Sequence, residues 1–236
     1  MNQEELIRYS RMIAIPEIGR EGVEKLQNSK VMIVGCGALG SICAMYLAGA
    51  GVGEITIADF DTIDISNLQR QLFFESAQAG KSKAEALVER MRALNPMCNV
   101  ICLKEMITSD SAKNLFADKD FIIDATDNPS SKTMTDEVCR KLGVPYSIGG
   151  VAGFKGQVMS WNPGCAGYSD IFSPESVNSG FTPCSLGGVL GPSAGIIACI
   201  QSSEAIKHLT GAGEMLYNKI FMIDLLSMES HTFSIV

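Results

Sequence analysis

From Val31 onward, short apolar runs alternate with longer stretches of helical periodicity. VMIVG at 31–35 predicts a strand, the apolar segment 39–50 a helix, and EITIAD, ending at Asp59, a second strand, so that the three form a βαβ unit. A polar stretch over 60–80 follows. Ala84, Leu87, Val88, Met91 and Leu94 then share one face of a helix predicted over 81–95 and stopped by Pro96. NVICL, DFIIDAT and VPYSIGG are bounded apolar runs that predict three more strands, with helices between them near 109–117 and 130–142. Strands alternating with helices in this way predict an α/β fold: a Rossmann-like, doubly wound, mainly parallel sheet.

The two ends break the alternation. Residues 5–28 predict helical segments around an interruption from Pro16 to Gly19, with Leu6, Ile7, Ile13, Ile18, Val23 and Leu26 as apolar contacts. Past Gly150 come GQVMSW, a Gly/Pro/Ser-rich loop over 162–187, an apolar helix over 189–209 and closing strands near 218–224 and 230–235. The expected organisation is one domain in three parts: a helical arm at 1–28, a core at 29–150 and a helix-plus-strand extension at 151–236.

Composition narrows the picture. The 236 residues suffice for one well-packed domain, and 46% hydrophobic against 19% charged residues is an ordinary folded composition. A net charge of -7 argues against a broad footprint for nucleic acid or anionic lipid. Eight cysteines, at 36, 43, 98, 102, 139, 165, 184 and 199, lie mostly inside apolar runs rather than in a disulfide framework, so a reducing cytoplasm is expected. The charged N-terminus lacks the pattern of a secretory signal, and no apolar run reaches the roughly 18 residues that would cross a bilayer.

The chemistry concentrates in a few segments. Gly35-Cys36-Gly37-Ala38-Leu39-Gly40 follows a strand and opens a helix, which permits a tight turn and close approach of a phosphate. Asp59, at the end of the next strand, is placed to accept ribose hydroxyls. That pair alone fits NAD or FAD as well as ATP. Asp61, Ser66-Asn67-Leu68-Gln69-Arg70-Gln71 and then Lys81 and Lys83 add an amide, a guanidinium and ammonium groups, the equipment for holding a triphosphate and stabilising charge at a reacting phosphorus. The plainer alternative is that Arg70, Lys81 and Lys83 are solvated surface charges.

GCGALG, the Asp59 strand end, SNLQRQ, the following KSK and Thr126-Asp127-Asn128 together closely resemble the ThiF/MoeB/HesA family of adenylyltransferases, relatives of ubiquitin-activating enzymes, from Arg8 to about Gly211. The resemblance implies ATP and magnesium as cofactors. It gives the glycine turn (Gly35, Gly37, Ala38, Gly40), Asp59 and Asp61 to nucleotide binding, and Asn67, Arg70 and Lys83 to the phosphates. Asp127, with Asn128 beside it, goes to the magnesium ion, with Asp124 as a competitor that could instead hold a loop. It makes Arg11 a finger reaching the nucleotide of a second subunit, hence a homodimer, and makes 151–236 a region for the carrier tail and the dimer contact. Cys184 stands where some members carry a cysteine that becomes linked to the carrier.

Two departures stand out. The family usually has Arg shortly after the Asp-Asn pair, where this chain reads Pro129-Ser130-Ser131-Lys132, and Met12 replaces a commoner Gln. Most relatives hold zinc through two Cys-x-x-Cys pairs. Here the first reads Cys165-Ala166-Gly167-Tyr168 and no second pair precedes Val236, so no structural zinc is expected.

The implied reaction is ATP-dependent adenylation of the C-terminal glycine of a ubiquitin-like sulfur-carrier protein ending in Gly-Gly, followed by hand-over to a sulfur donor or downstream transferase. The same residues leave three alternatives: activation of another carboxylate (peptide or tRNA-linked), a non-catalytic carrier-binding pseudo-enzyme, and an NAD-dependent oxidoreductase that would leave SNLQRQ and Thr-Asp-Asn without work. Neither nucleic acid nor membrane is an expected partner.

Overall fold

The computed structural model describes residues 1–172 and 187–235. The expectation for Cys184 lies outside the described residues. A helical arm, α1 (Gln3–Arg8), α2 (Ser10–Ile13) and α3 (Gly19–Gln27), leads into β1 (Lys30–Val34), α4 (Gly40–Ala50) and β2 (Glu54–Ala58). The core continues through α5 (Lys83–Leu94), β3 (Asn99–Leu103), α6 (Ser109–Phe116), β4 (Phe121–Asp124), α7 (Pro129–Leu142) and β5 (Tyr146–Ala152). Then follow β6 (Lys155–Trp161), a short α8 (Tyr168–Ile171), the long helix α9 (Gly191–Thr210), β7 (Lys219–Asp224) and β8 (Glu229–Ser234).

All eight strands form one sheet in the order β3-β2-β1-β4-β5-β6-β7-β8. Strands β1 to β5 run parallel, and β6 to β8 continue the sheet antiparallel. Successive strands step outward from β1 to β3, then the chain returns to place β4 on the other side of β1. Such a reversal opens a crevice at the carboxyl ends of the strands, where nucleotides bind in open α/β sheets.

The strand residues alternate between two cores. Val31 and Ile33 of β1 face the layer containing α4, α5 and α9, while Met32 and Val34 face the layer containing α6 and α7. Both faces are covered, which is why these strands read as continuous apolar runs. Helix α9 crosses β5 and β6 closely because two strand positions are glycine. A Cβ on Gly156 would lie 2.4 Å from Ile197 Cγ1, and one on Gly149 would lie 2.4 Å from Gln201 Oε1.

Differences from the sequence reading are local. Helix α5 starts at Lys83 because the Ser82 hydroxyl accepts the Glu85 N–H at 3.3 Å, which leaves Lys81 outside the helix. The region read as a single loop holds α8, where the Asp170 carboxylate accepts the Gly167 N–H at 2.8 Å. The arm is fixed by Tyr9, which the sequence reading passed over. Its ring is buried beneath Gly51, where no Cβ would fit, and its hydroxyl accepts a hydrogen bond from Asn95 Nδ2 at 2.9 Å.

Candidate active site

A cavity of about 1000 Å³ opens at the carboxyl ends of the parallel strands and runs on to the antiparallel end of the sheet. Its first wall is the glycine turn. Gly35 adopts φ +93°, a left-handed conformation that glycine reaches without strain, and lies against the Ala125 carbonyl at the start of the β4–α7 loop. Gly40 lies so close beneath it that a Cβ would fall 1.8 Å from the Gly35 carbonyl oxygen. The turn is therefore locked tight, with Gly37 and Ala38 facing the cavity.

Asp59 closes one side of this turn. Its carboxylate accepts the Cys36 N–H at 2.6 Å and the Asp61 N–H at 2.8 Å. Burial pushes the Asp59 carboxyl above its ordinary value, against the pull of those two N–H groups and of Lys83. Lys83 Nζ is buried and donates to Asp61 Oδ2 at 2.9 Å. This contact tethers the ammonium at the cavity edge, while Lys81 is exposed and lies outside the cavity wall.

SNLQRQ begins in a 3-10 turn, Ile65–Asn67, held by Asp64, whose carboxylate accepts from Ser66 N at 2.8 Å. The turn points Asn67, Arg70 and Gln71 at the cavity, and Arg70 Nη1 donates to the Ser66 carbonyl at 3.2 Å. Gln71 is a contributor the sequence reading quoted without giving it a role. Its Nε2 donates to Asn67 Oδ1 at 3.0 Å, while its Oε1 is buried with no protein partner. A buried amide oxygen left unpaired costs about 1–3 kcal/mol, so a donor from a ligand or a water fits there. The signal was available in the sequence as a second amide four residues after Asn67.

The fourth wall separates the two neighbouring carboxylates. Asp124, at the end of β4, is fully buried and accepts from Thr126 N (3.0 Å), Thr126 Oγ1 (2.7 Å), Thr135 Oγ1 (2.8 Å) and Lys132 Nζ (3.2 Å). Asp127 is exposed at the cavity surface with none of these ties. Asn128 caps α7, its Oδ1 accepting from Ser131 N at 2.8 Å, which leaves its amide nitrogen as the group to face a ligand. Lys132, the departure from the family pattern, is a buried cation that also donates to the Thr126 and Gly149 carbonyls, both at 2.7 Å. Breaking a buried pair such as Lys132–Asp124 by removing one partner costs about 3–5 kcal/mol.

The far end of the cavity is lined by Gly150, Val151 and Gly156, by Met222 and Ile223 of β7, and by Glu229, His231 and Phe233 of β8. Lys155 pairs with Asp224 there at 3.3 Å. Tyr168 lines the cavity, in the place of the second cysteine of a Cys-x-x-Cys pair. Its backbone N–H donates to Tyr146 Oη at 2.9 Å, and the Tyr146 hydroxyl donates to the buried Asp136 at 2.6 Å. Cys165 gives its carbonyl to Trp161 Nε1 at 2.9 Å. Among the described residues no group of three His, Cys, Asp or Glu side chains could hold a metal ion, and no helix is long and apolar enough to cross a membrane. Arg11 is exposed on α2, outside the wall of its own chain's cavity.

The arrangement is a glycine turn, a buried carboxylate and a set of amide, guanidinium and ammonium donors around one cavity, and the family model for ThiF matches residues 9–235. The chain belongs to the ThiF family. Among curated ThiF-family relatives, the probable adenylyltransferase/sulfurtransferase MoeZ of Mycobacterium tuberculosis is 37% identical over all of this chain. The chain spans 61% of the length of that relative. The sulfur carrier protein ThiS adenylyltransferase of Escherichia coli is 36% identical, with 91% of this chain and 87% of the relative aligned. The SAMP-activating enzyme E1 of Haloferax volcanii is 36% identical, with coverages of 97% and 84%. The crystal structure of E. coli MccB with MccA-N7isoASN shares the fold at a TM-score of 0.85, with 24% identity over 97% of this chain and 72% of that one.

Proposed function

We propose that this chain uses ATP to adenylate the C-terminal carboxylate of a ubiquitin-like sulfur-carrier protein, releasing pyrophosphate. The observation that carries the reading is that one continuous cavity is lined at one end by the glycine turn, Asp59, Asn67, Arg70, Lys83 and Asp127, and at the other by Gly150, Gly156, Met222 and Phe233. The first end suits a nucleoside triphosphate. The second is lined by two glycines and by apolar side chains, which suits an extended, glycine-ended peptide tail.

In the proposed step an oxygen of the carrier carboxylate attacks the α-phosphorus, the bond from that phosphorus to the bridging oxygen breaks, and pyrophosphate departs with the electron pair. The nucleophile is already ionised, so the chain supplies no general base. Its residues position and neutralise: Asp59 takes the ribose, Asn67 and Gln71 orient the phosphates, and Arg70 and Lys83 offset the charge that grows on the leaving oxygen. The donor set also fits magnesium, which is commonly held by one carboxylate together with substrate phosphates, and Asp127 is the carboxylate placed for it. When bound, the ion would supply further charge neutralisation on the phosphates.

Arg11 enters the reading as a residue for the cavity of a second copy of the chain, within a homodimer. Its exposure, outside its own chain's cavity, supports that role. A cytoplasmic setting accords with the free thiols of the seven described cysteines. The test is ATP–pyrophosphate exchange with purified protein, magnesium and a panel of carriers ending in Gly-Gly. Exchange that requires one carrier is the expected result. ATP binding without exchange on any carrier would favour a different carboxylate, that of a peptide or of a modified tRNA, or a non-catalytic carrier-binding role.

A further inference from the structure

The pairing of β4 with β5 ends at Asp124 and Ile148. Beyond that rung the two strand ends separate. One leads through Thr126 to Asp127, and the other through Gly149 to the cavity wall at Gly150 and Val151. The Lys132 ammonium sits in the fork. Its three N–H groups are matched by three oxygens: Asp124 Oδ1 at 3.2 Å, the Thr126 carbonyl at 2.7 Å and the Gly149 carbonyl at 2.7 Å. Asp124 fixes Thr126 a second time through its N–H and its hydroxyl. The backbone immediately before Asp127 is thereby tied on one side to a buried carboxylate and on the other to the strand of the tail end.

We propose that Lys132 is a positioning residue that sets the Asp127 carboxylate relative to β5, so that the magnesium-facing and tail-facing ends of the cavity are held in register by one ammonium. The proposal rests on the assignment of Asp127 given above. An ammonium suits the fork because it offers three donors in a tetrahedral arrangement, whereas a guanidinium offers a planar set. Lys132 itself touches no reacting atom in this role. It acts through the Thr126 carbonyl and hence through the path of the loop.

Calorimetric titration of the full chain with magnesium–ATP and, separately, with AMP tests the assignment without any carrier. AMP occupies the ribose end and does not need the Asp127 carboxylate. In Lys132→Met the affinity for magnesium–ATP is expected to fall by about tenfold or more, the usual scale when a group orienting a metal ligand is lost, with AMP affinity unchanged. Thr135→Val is the control: it removes a bond to the other oxygen of Asp124, Oδ2, lowers thermal stability, and leaves both affinities unchanged.

Equal weakening of both ligands in Lys132→Met, or a loss of stability with both affinities intact, overturns the proposal. If Lys132→Met does not fold, Lys132→Arg, which keeps the charge and changes the donor geometry, is read by the same two titrations. A selective loss of magnesium–ATP affinity then supports the role, and an equal or absent change overturns it. Should the wild-type protein bind ATP yet show no pyrophosphate exchange with any carrier, the proposed adenylation fails while the pair of titrations still decides the role of Lys132.

Discussion

The two halves of the sheet meet the same cavity in opposite ways. In the parallel half, β1 to β5, nearly every polar group at the strand ends is already engaged: Asp59 with two backbone N–H groups, Asp61 with Lys83, and Asp124 with Thr126, Lys132 and Thr135. In the antiparallel half, β8 is exposed along its whole length, and Phe154, Met222, Leu226, Met228 and Phe233 present apolar surface to solvent. The first half is preorganised, which keeps small the cost of arranging charges around a small polyanionic ligand. The second half carries apolar area that burial against a partner would stabilise. Loss of a group in the parallel half should therefore act on nucleotide chemistry or on folding, and loss in the antiparallel half on partner affinity.

The strongest test removes Asp127, an exposed carboxylate at the cavity that carries none of the hydrogen bonds holding Asp124. Asp127→Ala is expected to lower carrier-dependent pyrophosphate exchange by about 10²–10³-fold, the scale for loss of one preorganised charge-stabilising group. Its thermal midpoint should stay at the wild-type value, because Asp127 is exposed while Asp124 carries the hydrogen bonds. A large fall in melting temperature would show that Asp127 belongs to the folded frame and would erase the distinction drawn between the two carboxylates.

Gly40→Ala tests the frame itself. The added methyl would meet the Gly35 carbonyl at 1.8 Å, so the turn must open. Overpacking of this kind typically costs about 1–3 kcal/mol, and the loss should appear in urea denaturation together with weakened binding of ATP and of AMP alike. In the other half, Phe233→Ser should leave urea stability within about 0.5 kcal/mol of wild type, as expected for an exposed side chain. It should raise the KM for the carrier while ATP affinity is unchanged. A matching loss of ATP affinity would mean that the two ends of the cavity are not separable.

This division also explains what could be read from the chain. Parallel strands covered on both faces leave continuous apolar runs such as VMIVG and DFIIDAT, and the helices between them carry clear stop signals, so the core elements were legible to within a few residues. The antiparallel strands at 219–224 and 229–234 carried a weaker pattern because one of them is exposed throughout. Asp59, Asn67, Arg70, Lys83 and Asp127 stood out because each sits in a short motif, and all five line one cavity. Lys132 was noticed only as a mismatch. Its role depends on the Gly149 carbonyl, 17 residues away on another strand, and no local spacing reports such a contact. Tyr9 was missed for the same reason, since its partner Asn95 is 86 residues distant.

The joint between the two halves can be probed by pH. His208, near the end of α9, packs its ring against Phe121 of β4 at a centroid distance of 5.2 Å, and its Nδ1 shares a hydrogen bond of 2.8 Å with the Tyr217 hydroxyl just before β7. Burial lowers the imidazole pKa below its ordinary 6.5, with Asp120 pulling weakly the other way. The sign follows: as pH falls through 6.5, the unfolded chain takes up a proton that the folded imidazole resists, so stability is intact above that pH and declines below it until the lowered folded value is passed. Urea midpoints for the wild type should therefore decline more steeply between neutral and mildly acid pH than those of His208→Phe, which keeps an aromatic ring against Phe121 and cannot titrate. Parallel slopes for the two proteins would place the acid sensitivity elsewhere. A steeper wild-type slope accompanied by loss of carrier affinity but not of AMP affinity would show that the antiparallel half loosens first, which is what the exposure of its edge strand β8 predicts.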